Sequence, residues 1–106
     1  MASSIEKQLN EIRHARSSNQ IIEPPKEFTQ SAVTLFNQGK FKQVLAAIPS
    51  LLKHFPNSIT LLTIKGSAYG SIRQYDLSIR VFERLLELCP YNSDTYHNLG
   101  FSLQGK

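Results

Sequence analysis

Nucleophilic, acid–base and metal chemistry each need particular side chains brought together, and this 106-residue chain offers few of them. Its single cysteine, Cys89, has no histidine at helical spacing to take its proton. A small, half-buried hydrophobe near a helix end is the expectation for it. Glu83 and Glu87 stand four apart and share a helix face, with Arg80 and Arg84 beside them. That arrangement suits solvent-facing ion pairs better than an acid and a base with separated pKa values. His14 has only Glu11 near it, and His54 falls at a predicted helix end, where it complements the backbone carbonyls. His97 falls on a face that could meet a ligand. There is no HExxH, no zinc spacing and no glycine-rich phosphate loop. The residues present are expected to form no catalytic site and to hold no metal or cofactor. The chain would belong to an enzyme only as an accessory repeat domain of a larger one, such as a transferase.

Composition narrows the class further. One cysteine excludes an internal disulfide framework. The longest apolar run, Val44 to Pro49, is far too short to span a membrane. The start MASSIEKQ lacks the apolar core of a secretory signal. A folded cytoplasmic protein with no membrane contact is expected. The net charge of +4 is unevenly spread: no acid occurs between Glu27 and Asp76. Seven cations (Lys40, Lys42, Lys53, Lys65, Arg73, Arg80 and Arg84) face two acids, Asp76 and Glu83, in the stretch they span. Such a surface could attract an acidic protein or peptide. Weak nucleic-acid binding is the alternative, disfavoured because the cations are spaced singly and no aromatic-interleaved motif accompanies them.

The elements that must position these groups follow from periodicity. Ile5, Leu9 and Ile12 form one apolar stripe, with Ser3 and Glu6 a capping box, which predicts a short N-terminal helix. Residues 17 to 24 read as a linker, closed by Pro24-Pro25, with a helix starting at or near Pro25. From there the chain repeats itself every 34 residues. The offset joins Phe28, Leu62 and Tyr96; Leu35, Tyr69 and Leu103; Ala32, Gly66 and Gly100; Phe41 and Tyr75; Ile48 and Phe82; Leu51 and Leu85; Pro56 and Pro90. Two helices per unit are predicted: Lys26 to Gln38 and Phe41 to His54, then Ile59 to Gly70 and Asp76 to Leu88. Turns this short make neighbours antiparallel. Gly39 is expected as a left-handed cap, and Gly66 as a place where a neighbouring helix crosses close to the backbone. Pro49 should kink or split its helix. Phe28 is core by register.

Leu62, Lys65-Gly66, Tyr69, Ser78, Phe82 and Pro90, followed by Tyr96, Leu99-Gly100 and Leu103, resemble the tetratricopeptide repeat, with Phe28, Ser31-Ala32, Leu35, Val44, Ile48 and Pro56 a weaker copy. Lys65 and Ser31 depart from the usual leucine, and Ser78 and Val44 from the usual alanine. The resemblance covers residues 25 to 106 as units 25–58, 59–92 and a partial 93–106, after an N-terminal helix and linker over 1–24. It implies an all-α solenoid, a right-handed superhelix of antiparallel helix pairs whose first helices line a concave face, and a module that docks a peptide or partner protein or assembles a larger one.

The groove residues that the resemblance implies are Gln30, Val33, Phe36 and Asn37, then Thr63 and Ser67, then His97, Asn98 and Phe101, with Thr29, Thr60, Ile64, Ser71, Asp94 and Gln104 on the same side. The clamp of lysines and asparagines that some members close on a C-terminal carboxylate has no counterpart at these positions. The asparagine ladder of others would fall on Gln30, Ile64 and Asn98, and is broken. Phe36 and Phe101 are candidate anchors for an apolar peptide, for the N-terminal stripe or for a neighbouring copy. The partial third unit leaves Tyr96, Leu99 and Leu103 without a covering helix, so either a fragment of a longer protein or self-association through that end is expected.

Overall fold

Ser58 and Asn92, 34 residues apart, do the same job. Each turns a side-chain oxygen onto the backbone N–H three residues on, Leu61 at 3.1 Å and Thr95 at 3.2 Å, and so satisfies a donor that the first turn of a helix would leave unpaired. The computed structural model describes residues 21–106, and these two caps open the third and fifth of its helices. The five are α1 (Lys26–Asn37), α2 (Phe41–His54), α3 (Ile59–Ser71), α4 (Tyr75–Leu88) and α5 (Ser93–Gly105). No strand occurs among the described residues. The stripe of Ile5, Leu9 and Ile12 and its capping box lie outside them.

The second helices recur at the same offset, α2 from Phe41 to His54 and α4 from Tyr75 to Leu88. So do the turns that precede them. Gly39 has φ +75° and Arg73 φ +65°, each in the left-handed region after a first helix, and Lys40 and Gln74 follow with φ near −90° and ψ near +65°. Gly39 is the expected left-handed cap. Arg73 holds the same conformation without glycine's freedom.

The all-α expectation holds, with the helices packed sequentially, each against the next. α1 also meets α3, and α3 meets α5, whereas the backbones of α2 and α4 stay apart. α3 therefore contacts all four other helices, which explains why it buries residues on several sides: Leu61, Leu62, Gly66, Ala68 and Gly70. Two apolar clusters follow from this arrangement. Ala32, Val44, Ile48, Leu61 and Ala68 join α1, α2 and α3; Leu62, Phe82 and Leu85 join α3 to α4, with Leu99 of α5 packed against them.

At Gly66 a Cβ would stand 2.7 Å from Phe82 Cζ, so the neighbour pressed against this backbone is the ring of Phe82 on α4. Phe28 departs from its expected place in the core: it is 54% exposed. Its register partner Leu62 is 6% exposed because it clusters with Phe82 and Leu85 of α4, with Leu52 of the preceding α2 packed against that cluster. Phe28, on the first described helix, has no described helix before it to supply a counterpart of Leu52. Pro49 does not split its helix. α2 runs unbroken from Phe41 to His54 through it, with the Pro49 ring on the exposed side of the helix.

The last residues of the expected linker are tied to the fold. Pro24 is buried, and the Glu23 carboxylate accepts hydrogen bonds from Ser58 Oγ and from the backbone N–H groups of Ile59 (3.0 Å) and Thr60 (3.3 Å). Residues 23–25 thus form a strap that ties the start of α1 to the start of α3. A carboxylate at a helix N-terminus is favoured both by the free N–H groups and by the helix dipole. Among the described residues no helix is long and apolar enough to cross a membrane.

Candidate functional site

Helical phase predicts that residues four and three apart share a face, and α5 shows both outcomes of that rule. Thr95 and Ser102 turn inward and are buried, while His97, Asn98 and Phe101 turn toward α3. There they meet Ser67 and Ser71 across a cleft of about 250 Å³. Its floor is Gly66, Gly70, Phe82 and Ser102.

The floor is set by a buried hydrogen-bond chain. Ser78 Oγ of α4 donates to the Gly66 carbonyl at 2.7 Å, and the 2.8 Å contact between Ser78 Oγ and Ser102 Oγ completes it. Ser78 has one hydroxyl proton and gives it to Gly66, so Ser102 is the donor of the second bond. Both serines are buried. They pin α4 simultaneously to α3 and α5, and a Cβ on Gly70 would stand 3.4 and 3.5 Å from their hydroxyls. Small residues on α3 are what let three helices meet here and leave an open space above them.

Four of the predicted groove residues line this one cleft: Ser67, His97, Asn98 and Phe101. The other five do not. Gln30 is exposed, with Nε2 donating to Thr34 Oγ1 at 3.4 Å, and Asn37 is exposed at the end of α1. Val33 and Thr63 are half-buried. Phe36 is no free anchor. It packs against the first cluster and meets Phe41 edge to face, with ring centroids 5.2 Å apart and planes at 75°. Thr29 is buried and donates to the Lys26 carbonyl at 3.0 Å. Ile64, between Gln30 and Asn98 in the would-be ladder, packs against the first cluster.

The cleft carries no fixed charge. Phe101 (63% exposed) gives it an apolar wall, and Asn98, half-buried, gives it an amide that can both donate and accept. None of the seven predicted basic residues lines it. Lys40 and Lys42 border a separate, shallow depression of about 310 Å³ with Gly39, Phe41, Gln43 and Ile72. Lys53, Arg73 and Arg80 are exposed and Lys65 is half-buried. Arg84 is engaged: Nη1 pairs with Glu87 at 3.1 Å and Nη2 donates to Asn57 Oδ1 at 3.1 Å. Lys106 Nζ meets Asp76 at 2.7 Å, and that hydrogen bond, reinforced by the ammonium charge, holds the Asp76 carboxyl below the ordinary carboxylate range. Among the described residues no three of His, Cys, Asp and Glu stand close enough to hold a metal ion. Cys89 is half-buried at the end of α4.

Glu23, Ser102 and Arg73 carry structural roles that the sequence reading missed. Arg73 had a signal, its register match to Gly39; Glu23 acts on residues 35 to 37 positions away and had none. Neither a protein-family model nor a curated protein matches the chain.

Proposed function

We propose that the chain is a tetratricopeptide-type repeat module, a short solenoid whose first helices α1, α3 and α5 present a docking face to an extended segment of a partner protein. The observation that carries this reading is the cleft between α3 and α5, where residues from two successive first helices converge above a glycine floor. The 34-residue recurrence of caps, left-handed turns and second helices supports the fold part of the reading.

The chemistry of the cleft names the kind of segment it would accept. The cleft of about 250 Å³ beside Phe82 has room for one apolar side chain, and Phe101 flanks it. Asn98 can hold a peptide group beside that side chain through its C=O and N–H together. An uncharged, apolar-centred peptide fits better than an acidic one, because the basic residues lie elsewhere.

The test is a selection of displayed random peptides against the full chain, followed by binding titrations of the enriched sequences. Phe101→Ala and Asn98→Ala should each weaken binding by about tenfold or more, as loss of a central aromatic or a desolvated amide partner does. Leu103→Glu, on another face of α5, should leave it unchanged. Peptides that bind both cleft variants as tightly as the parent chain would move the docking site away from this face.

A further inference from the structure

Histidine is the side chain whose ordinary charge change falls between about pH 5 and 8. His97 is the one ionisable residue that lines the cleft between α3 and α5. Ser67 and Ser71 stand across from it on α3 and Phe82 comes from α4, and none of these carries a charge. Lys65, Tyr69 and Arg73 on or beside α3, and Asp76 and Arg80 on α4, lie outside the lining, with Asp76 already paired with Lys106. On its own helix Asp94 stands one turn earlier and is exposed. His97 is itself exposed and makes no hydrogen bond or ion pair among the described residues. Both ring nitrogens are therefore open to a docked segment.

We infer that His97 sets the charge preference of the cleft, and the inference rests on the cleft's docking role. Neutral His97 favours an uncharged segment; protonated His97 favours one that carries a carboxylate beside its apolar residue. Phe82 lies in the floor and Phe101 forms a wall, so a docked apolar side chain displaces water from beside the imidazole. Taking water from an imidazolium without a counter-charge is unfavourable, whereas a neutral imidazole donates from one nitrogen and accepts at the other. An uncharged segment therefore docks with release of the imidazole proton to solvent. A carboxylate reverses the balance, because it supplies the counter-charge that the cleft lacks, and docking then takes a proton up. No lysine or arginine lines the cleft to hold that carboxylate in place of His97.

Exposure sets the size of the effect. A single titrating group changes affinity by at most about tenfold per pH unit, and solvent around His97 screens both interactions well below that limit. From about pH 8 to about pH 5 an uncharged segment should bind roughly threefold to tenfold more weakly, and an acidic one roughly threefold more tightly. The two slopes have opposite sign. Loss of folded protein at low pH cannot imitate that, since it weakens both.

Peptides enriched by display against the full chain are the probes, with blocked termini and no histidine, aspartate or glutamate. A matched series carries one aspartate next to the central apolar residue, ionised over this range. Titrations at about pH 8 and about pH 5 should give slopes of opposite sign for the two series. The readout is the ratio of affinities at the two pH values, not the affinity itself. His97→Gln should bring both ratios to about one, and His97→Lys should keep the preference for the acidic series at both pH values. Flat ratios in the parent chain, or two ratios of the same sign, overturn the inference and leave peptide docking standing. Opposite slopes that persist in His97→Gln also overturn it and place the titration on another group. Peptides whose binding ignores Phe101→Ala at both pH values remove the docking reading, and this inference with it.

Discussion

Gly66 and Gly100 occupy the same register position in successive first helices, yet the same substitution should move stability in opposite directions. In a helix interior alanine is better than glycine by about 1 kcal/mol, which applies to both sites. At Gly100 nothing lies within 4 Å of the added methyl, so Gly100→Ala should stabilise by about that amount. At Gly66 the methyl would lie 2.7, 2.8 and 3.1 Å from three atoms of the Phe82 ring. That ring is 1% exposed and wedged beside Leu62 and Leu85, so it cannot swing into solvent; α3 and α4 must part or the ring must leave its rotamer. Overpacking of this kind costs about 1–3 kcal/mol, and with a fully buried aromatic the upper part of that range applies. The net effect of Gly66→Ala is a loss of about 1–2 kcal/mol, leaving the two variants about 2–3 kcal/mol apart. For a domain of this size that is a separation in melting temperature of roughly 10–20 °C. Thermal and urea denaturation followed by circular dichroism at low micromolar concentration would measure it. Phe82→Leu should rescue part of the Gly66→Ala loss non-additively. If both alanine variants shift stability in the same direction, the close approach of Phe82 to the α3 backbone is not what requires glycine at position 66.

Arg73→Gly should raise stability by about 0.5–1 kcal/mol, because the left-handed conformation strains arginine and not glycine; urea titration would show it. Glu23→Ala should cost about 1 kcal/mol by releasing the strap from the first turn of α3, with faster hydrogen exchange at the Ile59 and Thr60 amides as the local signature. The folded Asp76 carboxyl titrates below its ordinary value of 3.8, so its pairing with Lys106 contributes above that pH and is lost as pH falls through the lower folded value; Lys106→Ala should raise the NMR-detected titration of Asp76 toward its ordinary value. Ser78→Ala should cost about 1–3 kcal/mol by stranding the buried Ser102 hydroxyl, and Ser78→Ala with Ser102→Ala together should cost less than Ser78→Ala alone, a coupling that denaturation of the three variants would reveal.

The helices and their phase were legible because turns and caps demand particular chemistry. Gly39 announces a left-handed residue, and Pro56 and Pro90 mark where helices cannot continue. Arg73 announces nothing alone and is readable only through its offset from Gly39. Phe28 was misplaced for a different reason: register states which face a residue occupies, not whether a neighbour exists to cover that face. The convergence of Ser67, His97, Asn98 and Phe101 was readable from helical phase, since all four project from two successive first helices. Phe36 shares that phase but turns aside to Phe41 across the short turn between α1 and α2, an interaction that depends on turn geometry and not on periodicity. Ser78 looked like a weakened alanine position. Its hydroxyl instead joins three helices, because a buried serine is stable where two partners satisfy it.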